Sequence, residues 1–280
     1  MVNVPYHTAR LRGHLTRSLY KVALPQIVRQ ALGQTQTVPV SVYALSCERD
    51  LPEQVASIRS FIRYVGIPHQ FTVISDGSYS DRSCELLQQI HPCIQVLPID
   101  QLIRPDLPQA VYDYAAQQAM GKKLAALLSL SISGPTLYTD SDILFFPGAT
   151  DLAGLILSED RVSRYLPDCT NKFDQRVIYD EMENLNPINA GFILLKDNLN
   201  WDFALDRLAN LDELNNYFTE QTLVHLTLHR NHAQPLDPNL YVLRVDDQFI
   251  YSDKHAHNKI ALRHYVNNVR HKFWFPMGHL

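Results

Sequence analysis

The sequence lacks paired cysteines: Cys47, Cys84, Cys93 and Cys169 are scattered and form no CxxC pair. That argues against a zinc ribbon or a disulfide-stapled scaffold and fits a reducing compartment. No apolar run reaches the length of a membrane span, and no signal-type apolar segment stands near the start. Low-complexity tracts are absent, and 46% of the 280 residues are hydrophobic against 19% charged, enough to bury a substantial core. Nor is there a basic excess. The net charge is −4, which argues against a general affinity for nucleic acid. A soluble, cytoplasmic protein is the expectation.

One further absence is local. No acidic residue precedes Glu48, whereas Arg10, Arg12, Arg17, Lys21 and Arg29 all do. Within the same stretch Leu11, Leu15, Leu19 and Val22 share a helical stripe. Residues 1–38 therefore read as a basic helical arm ahead of a single domain spanning 39–280. The ordinary arrangement docks the apolar stripe on the domain and leaves the cations in water. The alternative is peripheral contact with an anionic membrane surface.

The chain then alternates. Val40–Leu45 reads as a strand, Leu51–Val65 as a helix stopped by Gly66, and Phe71–Ile74 as a buried strand running into the turn Ser75-Asp76-Gly77. Cys84–Ile90 (helix), Ile94–Leu97 (strand), Tyr112–Leu130 (one long helix) and Thr136–Thr139 (strand) continue the series. Such alternation predicts an α/β fold with a mostly parallel central sheet flanked by helices, whose ligands bind beyond the carboxyl ends of the strands. Ser46, Asp76 and Asp140 stand at three such ends. The second half is less regular. Arg176–Asn186 reads as charged loop or helix over a groove, 186–191 as a turn before the strand Phe192–Leu195, Trp201–Leu211 and Glu220–Leu228 as helices, and Tyr241–Val245 as a late strand. An aromatic and basic segment, Arg263–Trp274, closes the pattern.

The sharpest local feature is Tyr138-Thr139-Asp140-Ser141-Asp142-Ile143-Leu144, two carboxylates one residue apart within an apolar setting. If the chain turns at Asp140, both carboxylates can reach one hard divalent cation such as Mn²⁺ or Mg²⁺. Such an ion suits a departing diphosphate. The bland alternative is a solvated turn or a helix cap, which the apolar flanks make less apt. Each accessory residue has a bland counterpart as well. Lys122-Lys123 fits a solvated helix face, Asn189 a turn, and Gln221 the surface. His255-Ala256-His257 has strand-like spacing but no third ligand nearby in sequence.

This segment resembles the DxD motif of GT-A-fold glycosyltransferases, particularly the family that includes glycogenin and the bacterial galactosyltransferases of lipopolysaccharide synthesis. Asn186–Leu195 is similar to the stretch where those enzymes place an Asn-x-Gly turn before a strand. Glu220-Gln221 resembles their acidic-Gln pair, and His264 their late histidine. The resemblance implies transfer of a sugar from a nucleoside diphosphate donor, UDP-linked, to the hydroxyl of a glycan, lipid or protein acceptor, with retention at the anomeric carbon. It implies Asp140, Asp142 and His264 as metal ligands, and Lys122 or Lys123 at the diphosphate or sugar. Asn189 and Gly191 would line the sugar pocket with Gln221 beside the anomeric carbon, while Ala44, Ser46 and Asp76 would contact base and ribose. The family often ends in His-x-x-Gly-x-x-Lys-Pro-Trp, whereas here Asn267, Arg270, His271, Lys272 and Trp274 follow His264. The late cation at the diphosphate is then Arg270 or Lys272. Two rivals remain: a phosphoryl- or nucleotidyl-transfer enzyme using the same Asp pair, and a non-catalytic nucleotide-sugar-binding protein of the same fold.

Overall fold

The computed structural model describes residues 3–178, 185–212 and 216–276. Its first half runs α1 (Val4–Ile27), β1 (Thr37–Ser46), α2 (Leu51–Tyr64), β2 (Ile67–Ser75), α3 (Asp81–Gln88), β3 (Ile94–Pro98), the single turn α4 (Ile99–Leu102), α5 (Gln109–Gln117), α6 (Ala119–Leu128) and β4 (Thr136–Thr139). The second half runs β5 (Ile143–Phe145), α7 (Thr150–Leu157), β6 (Arg164–Pro167), β7 (Ile188–Leu195), α8 (Asp202–Ala209), α9 (Thr219–Arg230), β8 (Gln234–Pro235), β9 (Tyr241–Val242) and β10 (Leu262–His264).

Period-two burial makes the central strand. In β1, Val38, Val40, Val42, Ala44 and Ser46 are buried in alternation with partly exposed residues. It pairs in parallel with β2 on one side and β4 on the other, within a seven-stranded sheet ordered β3-β2-β1-β4-β7-β6-β8. β7 runs antiparallel to both β4 and β6. The sheet is thus mostly parallel, as its alternating helices and strands predict, with one reversed strand. Beneath it Phe61 meets Phe71 and Phe145 edge to face, at centroid distances of 5.8 and 5.1 Å. Gly66 ends α2 at φ 135°, where a Cβ would crowd Gln36 and Val38.

Four expectations need correction. The helix expected over Tyr112–Leu130 is two helices, because Gln118 is extended (φ −145°, ψ 149°). The chain folds back there so closely that a Cβ at Gly121 would collide with the backbone of Tyr114 and Ala115. The turn expected over 186–191 is already strand from Ile188: Ile188 and Asn189 pair with Pro167 and Leu166 of β6, and an irregularity follows before the ladder resumes, all within fully buried β7. The late strand is only Tyr241–Val242. Finally, the leucine stripe of α1 points away from the domain. Ala9, Gly13, Tyr20 and Leu24 face inward instead, and Gly13 abuts the backbone of His271, where a Cβ would collide. Tyr20 stacks on Trp274 at 4.8 Å, and Arg17 clamps Glu53 at 2.6 and 3.0 Å. Of the charged segment expected over Arg176–Asn186, residues 179–184 lie outside the described residues.

A second, three-stranded sheet, β5-β10-β9, lies beside the first. β10 is antiparallel to β5 and sets His264 opposite Ile143. The neighbouring residue, Arg263, faces the other way and is fully buried against Asp247, at 3.0 Å to each carboxylate oxygen. That pair anchors the strand. No helix among the described residues is long and apolar enough to cross a membrane.

Candidate active site

The carboxyl ends of β1, β2 and β4 open on one cleft of about 470 Å³. At the tip of β4 the Asp140 amide donates to the Gly191 carbonyl on β7 at 2.8 Å, and the chain turns. Two residues on, the Asp142 carbonyl accepts from the Tyr265 amide at 2.9 Å. These two backbone bonds draw the end of β10 over the turn. His264 Nε2 consequently lies 3.1 Å from Asp142 Oδ1 and 3.9 Å from Asp140 Oδ2. One ligand atom from each of Asp140, Asp142 and His264 falls within 4.8 Å of the others. Gly191 leaves room for this convergence. A Cβ there would strike His264 and come within 2.7 Å of both the Asn189 and Asp140 side chains. Two hard oxygen donors and one imidazole form a set suited to Mn²⁺ or Mg²⁺, so the residues present fit such an ion.

Cations surround the carboxylates. Lys123, on α6, is buried with its amine 2.9 and 3.0 Å from the two Asp140 oxygens. Burial works against its charge, but Asp140 and then Glu220 outweigh it and hold its pKa above the ordinary value. Arg270 reaches Asp142 Oδ2 at 3.5 Å and Asp50 Oδ1 at 2.9 Å. Burial tends to raise the Asp142 pKa, yet His264 and Arg270 bring it below the usual carboxylate range. Lys122 turns the other way and donates to the Asp76 carbonyl at 3.0 Å.

The opposite wall is built on Asp168, just after β6. One of its oxygens accepts from Asn189 Nδ2 at 2.9 Å and from Gln221 Nε2 at 3.4 Å. The Asn189 side-chain Oδ1 in turn accepts from the Gly191 amide at 2.9 Å. Next to Gln221, Glu220 is 2% exposed, and among the described residues its Oε1 finds no hydrogen-bond partner. Burial raises its pKa to about 7; Lys123 offsets part of that rise and Asp140 adds to it.

Of the residues singled out in the sequence, Ser46, Asp76, Lys122, Lys123, Asp140, Asp142, Asn189, Gly191, Gln221, His264 and Arg270 all line this cleft. Two do not. Ala44 is wholly buried in the core, two residues below the strand end that carries Ser46. Lys272 is turned inward and fully buried, donating to the carbonyls of Asp247 and Ser252 and pairing with the Asp247 carboxylate at 3.3 Å. The one-turn 3-10 segment Arg270–Lys272 sends the two cations to different sides, so Arg270 is the one in the cleft. Asp50, Asp168, Tyr217 and Glu220 were not among the proposed site residues. Only Glu220 carried a signal, its place beside Gln221. His257 joins no ligand cluster among the described residues, whereas His255 groups with Asp246, at 2.6 Å, and with Asp247, which is already paired with Arg263 and Lys272.

No protein-family model matches the chain, and no curated protein matches it in sequence. Solved structures do match in shape. The galactosyltransferase LgtC, in complex with donor and acceptor sugar analogs, superposes with a TM-score of 0.55 at 12% identity, over 86% of this chain and 96% of that one. The apo-form glycosyltransferase GlyE of Streptococcus pneumoniae TIGR4 gives 0.55 at 14% identity, over 86% of this chain and 60% of that one. At such identities the likeness is one of architecture, and the architecture of this chain is the GT-A fold.

Proposed function

We propose that the cleft transfers a glycosyl group from a nucleoside diphosphate sugar, UDP-linked, to an acceptor hydroxyl on a glycan, lipid or protein. The observation that carries the reading is the convergence of Asp140, Asp142 and His264 beside Lys123 and Arg270 at the carboxyl edge of a parallel sheet. That a neighbour in fold was solved with donor and acceptor sugar analogs supports it.

In this reading Ser46 and Asp76 receive the nucleoside. Asp140, Asp142 and His264 hold a divalent cation, which when bound supplies positive charge to the leaving diphosphate. Arg270 adds a fixed guanidinium at the same end, and Lys123 holds Asp140 in place. Asn189 and Gln221, both oriented by Asp168, present amides to the sugar. Gln221 cannot take a proton, which supports transfer with retention. An inverted product anomer would instead assign the base role to Glu220, whose carboxyl titrates near neutral pH.

The test is a panel of nucleoside diphosphate sugars with and without Mn²⁺, read by thermal shift and donor hydrolysis. One donor should raise the melting temperature only with the cation and be hydrolysed slowly without acceptor. A flat response across the panel would sink the assignment. Hydrolysis of simple phosphoesters alone would return the phosphoryl-transfer reading.

The two late cations give a sharper contrast. Arg270→Met should weaken UDP binding by about tenfold or more, through a lost charge-assisted contact. Lys272→Met should leave UDP affinity unchanged while costing about 3 kcal/mol of stability, because it breaks a buried pair. Titration calorimetry and urea melts on both variants decide between them.

A further inference from the structure

We infer that the outward face of α1 is a docking surface for an anionic lipid bilayer. The helix has two opposed faces. Ala9, Gly13, Tyr20 and Leu24 pack on the domain, while Val4, Leu11, Leu15, Leu19 and Val22 stand on the other side within an arc of about 80° at 100° per residue. All five are more than half exposed, with Leu19 at 72% and Val22 at 82%. A helix whose leucines merely covered the domain would show the reverse. The exposed trio Phe249, Ile250 and Tyr251 lies alongside the first turns of α1. Asn3 donates to the Phe249 carbonyl at 3.1 Å, Tyr6 stacks on the Phe249 ring at 5.5 Å, and Arg12 reaches the Tyr251 hydroxyl at 3.2 Å. These contacts run through Asn3, Tyr6 and Arg12, so exposed aromatic residues stand beside the helix in addition to its leucine stripe, a composition that favours the interfacial layer of a bilayer.

Charge selects the occupant. The first 47 residues hold five of the chain's 25 Lys and Arg and none of its 29 Asp and Glu. Exposed Arg10 and Lys21 flank the apolar stripe on one side and Arg12 on the other. A second copy of the helix packed on this face would bring cations against cations with no acidic residue of α1 to pair them, whereas anionic headgroups complement both flanks. Arg49, Asp50, Asn267 and Arg270 line both the cleft and a groove of about 360 Å³ that reaches Arg10, His14 and Arg17. Docking α1 would thus set one edge of the cleft beside the headgroups.

The test uses the full chain and vesicles, with no donor or divalent cation, so its outcome is independent of the proposed sugar transfer. The protein should co-sediment with vesicles of equal parts phosphatidylcholine and phosphatidylglycerol, not with phosphatidylcholine alone, and binding should fall as salt rises. The triple substitution Leu11→Ser, Leu15→Ser, Leu19→Ser should reduce the bound fraction at least about tenfold with an unchanged circular dichroism spectrum. Val22→Trp, a single change at an exposed site, should show blue-shifted emission on the anionic vesicles only. No co-sedimentation, undiminished binding by the triple variant, or unshifted emission overturns the proposal. So does a solution dimer that the triple variant converts to monomer, which would assign the face to a second copy.

Discussion

Asp142→Ala is expected to abolish cation-dependent binding of UDP and to lower donor turnover by about three orders of magnitude. The expectation follows from how little else in the cleft can replace this carboxylate. Asp140 is committed to Lys123 through both oxygens, so it cannot alone balance a divalent charge. Asp142 is buried between His264 and Arg270, which keep it ionised against the cost of its burial. Truncation removes the carboxylate that bridges them, leaving Arg270 only Asp50 and His264 only the more distant Asp140. Asp142→Asn keeps the shape and separates charge from packing. Calorimetric titration of UDP with Mn²⁺, Mg²⁺ or a chelator reads the result. Cation-dependent affinity surviving in both variants would remove the metal site from the proposal.

Glu220→Gln should move activity and stability in opposite directions. The ordinary carboxyl value of 4.5 rises to about 7 in the folded protein, chiefly through burial. Below pH 4.5 the group is neutral in both states. As pH rises from there through 7, the unfolded chain releases its proton first, so the folded state is progressively penalised, by about 3 kcal/mol once both have ionised. The amide carries no such penalty. The variant should therefore melt higher than the parent at pH 8 and close to it at pH 4.5, in metal-free buffer. Turnover should fall by about a hundredfold, because Glu220 lines the cleft beside Gln221 and its charge acts on Lys123. Equal melting curves at both pH values would show that Glu220 bears no burial penalty, and full activity would remove it from the site.

Much of the site was legible in the sequence because it hangs on local features. An apolar strand ending in Asp-Ser-Asp has few places to sit other than a sheet edge, and β4 occupies the four residues expected. The break at Gln118 was not legible, since no proline marks it and both flanks have good helix formers. Its cause is the tertiary contact of Gly121 with Tyr114, more than a turn away. The choice between Arg270 and Lys272 was equally closed to sequence reading. Two cations two residues apart look alike until a short 3-10 turn sends one into the cleft and the other onto Asp247. Asp168 escaped notice because its work is orienting Asn189 and Gln221 across 21 and 53 residues of chain, and an isolated aspartate advertises no partner. The leucine stripe of α1 was legible as an apolar face, but of its two possible neighbours the ordinary one, the domain, does not cover it: periodicity reports that a face is apolar, not what covers it.

The short strand β10 has a consequence for when the protein becomes competent. Every described strand of the large sheet lies at or before Pro235, whereas the third residue of the proposed metal set is His264, 122 residues beyond Asp142. During synthesis the described scaffold is therefore fully translated before His264 leaves the ribosome. On the proposed function, a prematurely stopped chain would hold Ser46 and Asp76 without His264 or Arg270, so unfinished products would not sequester donor.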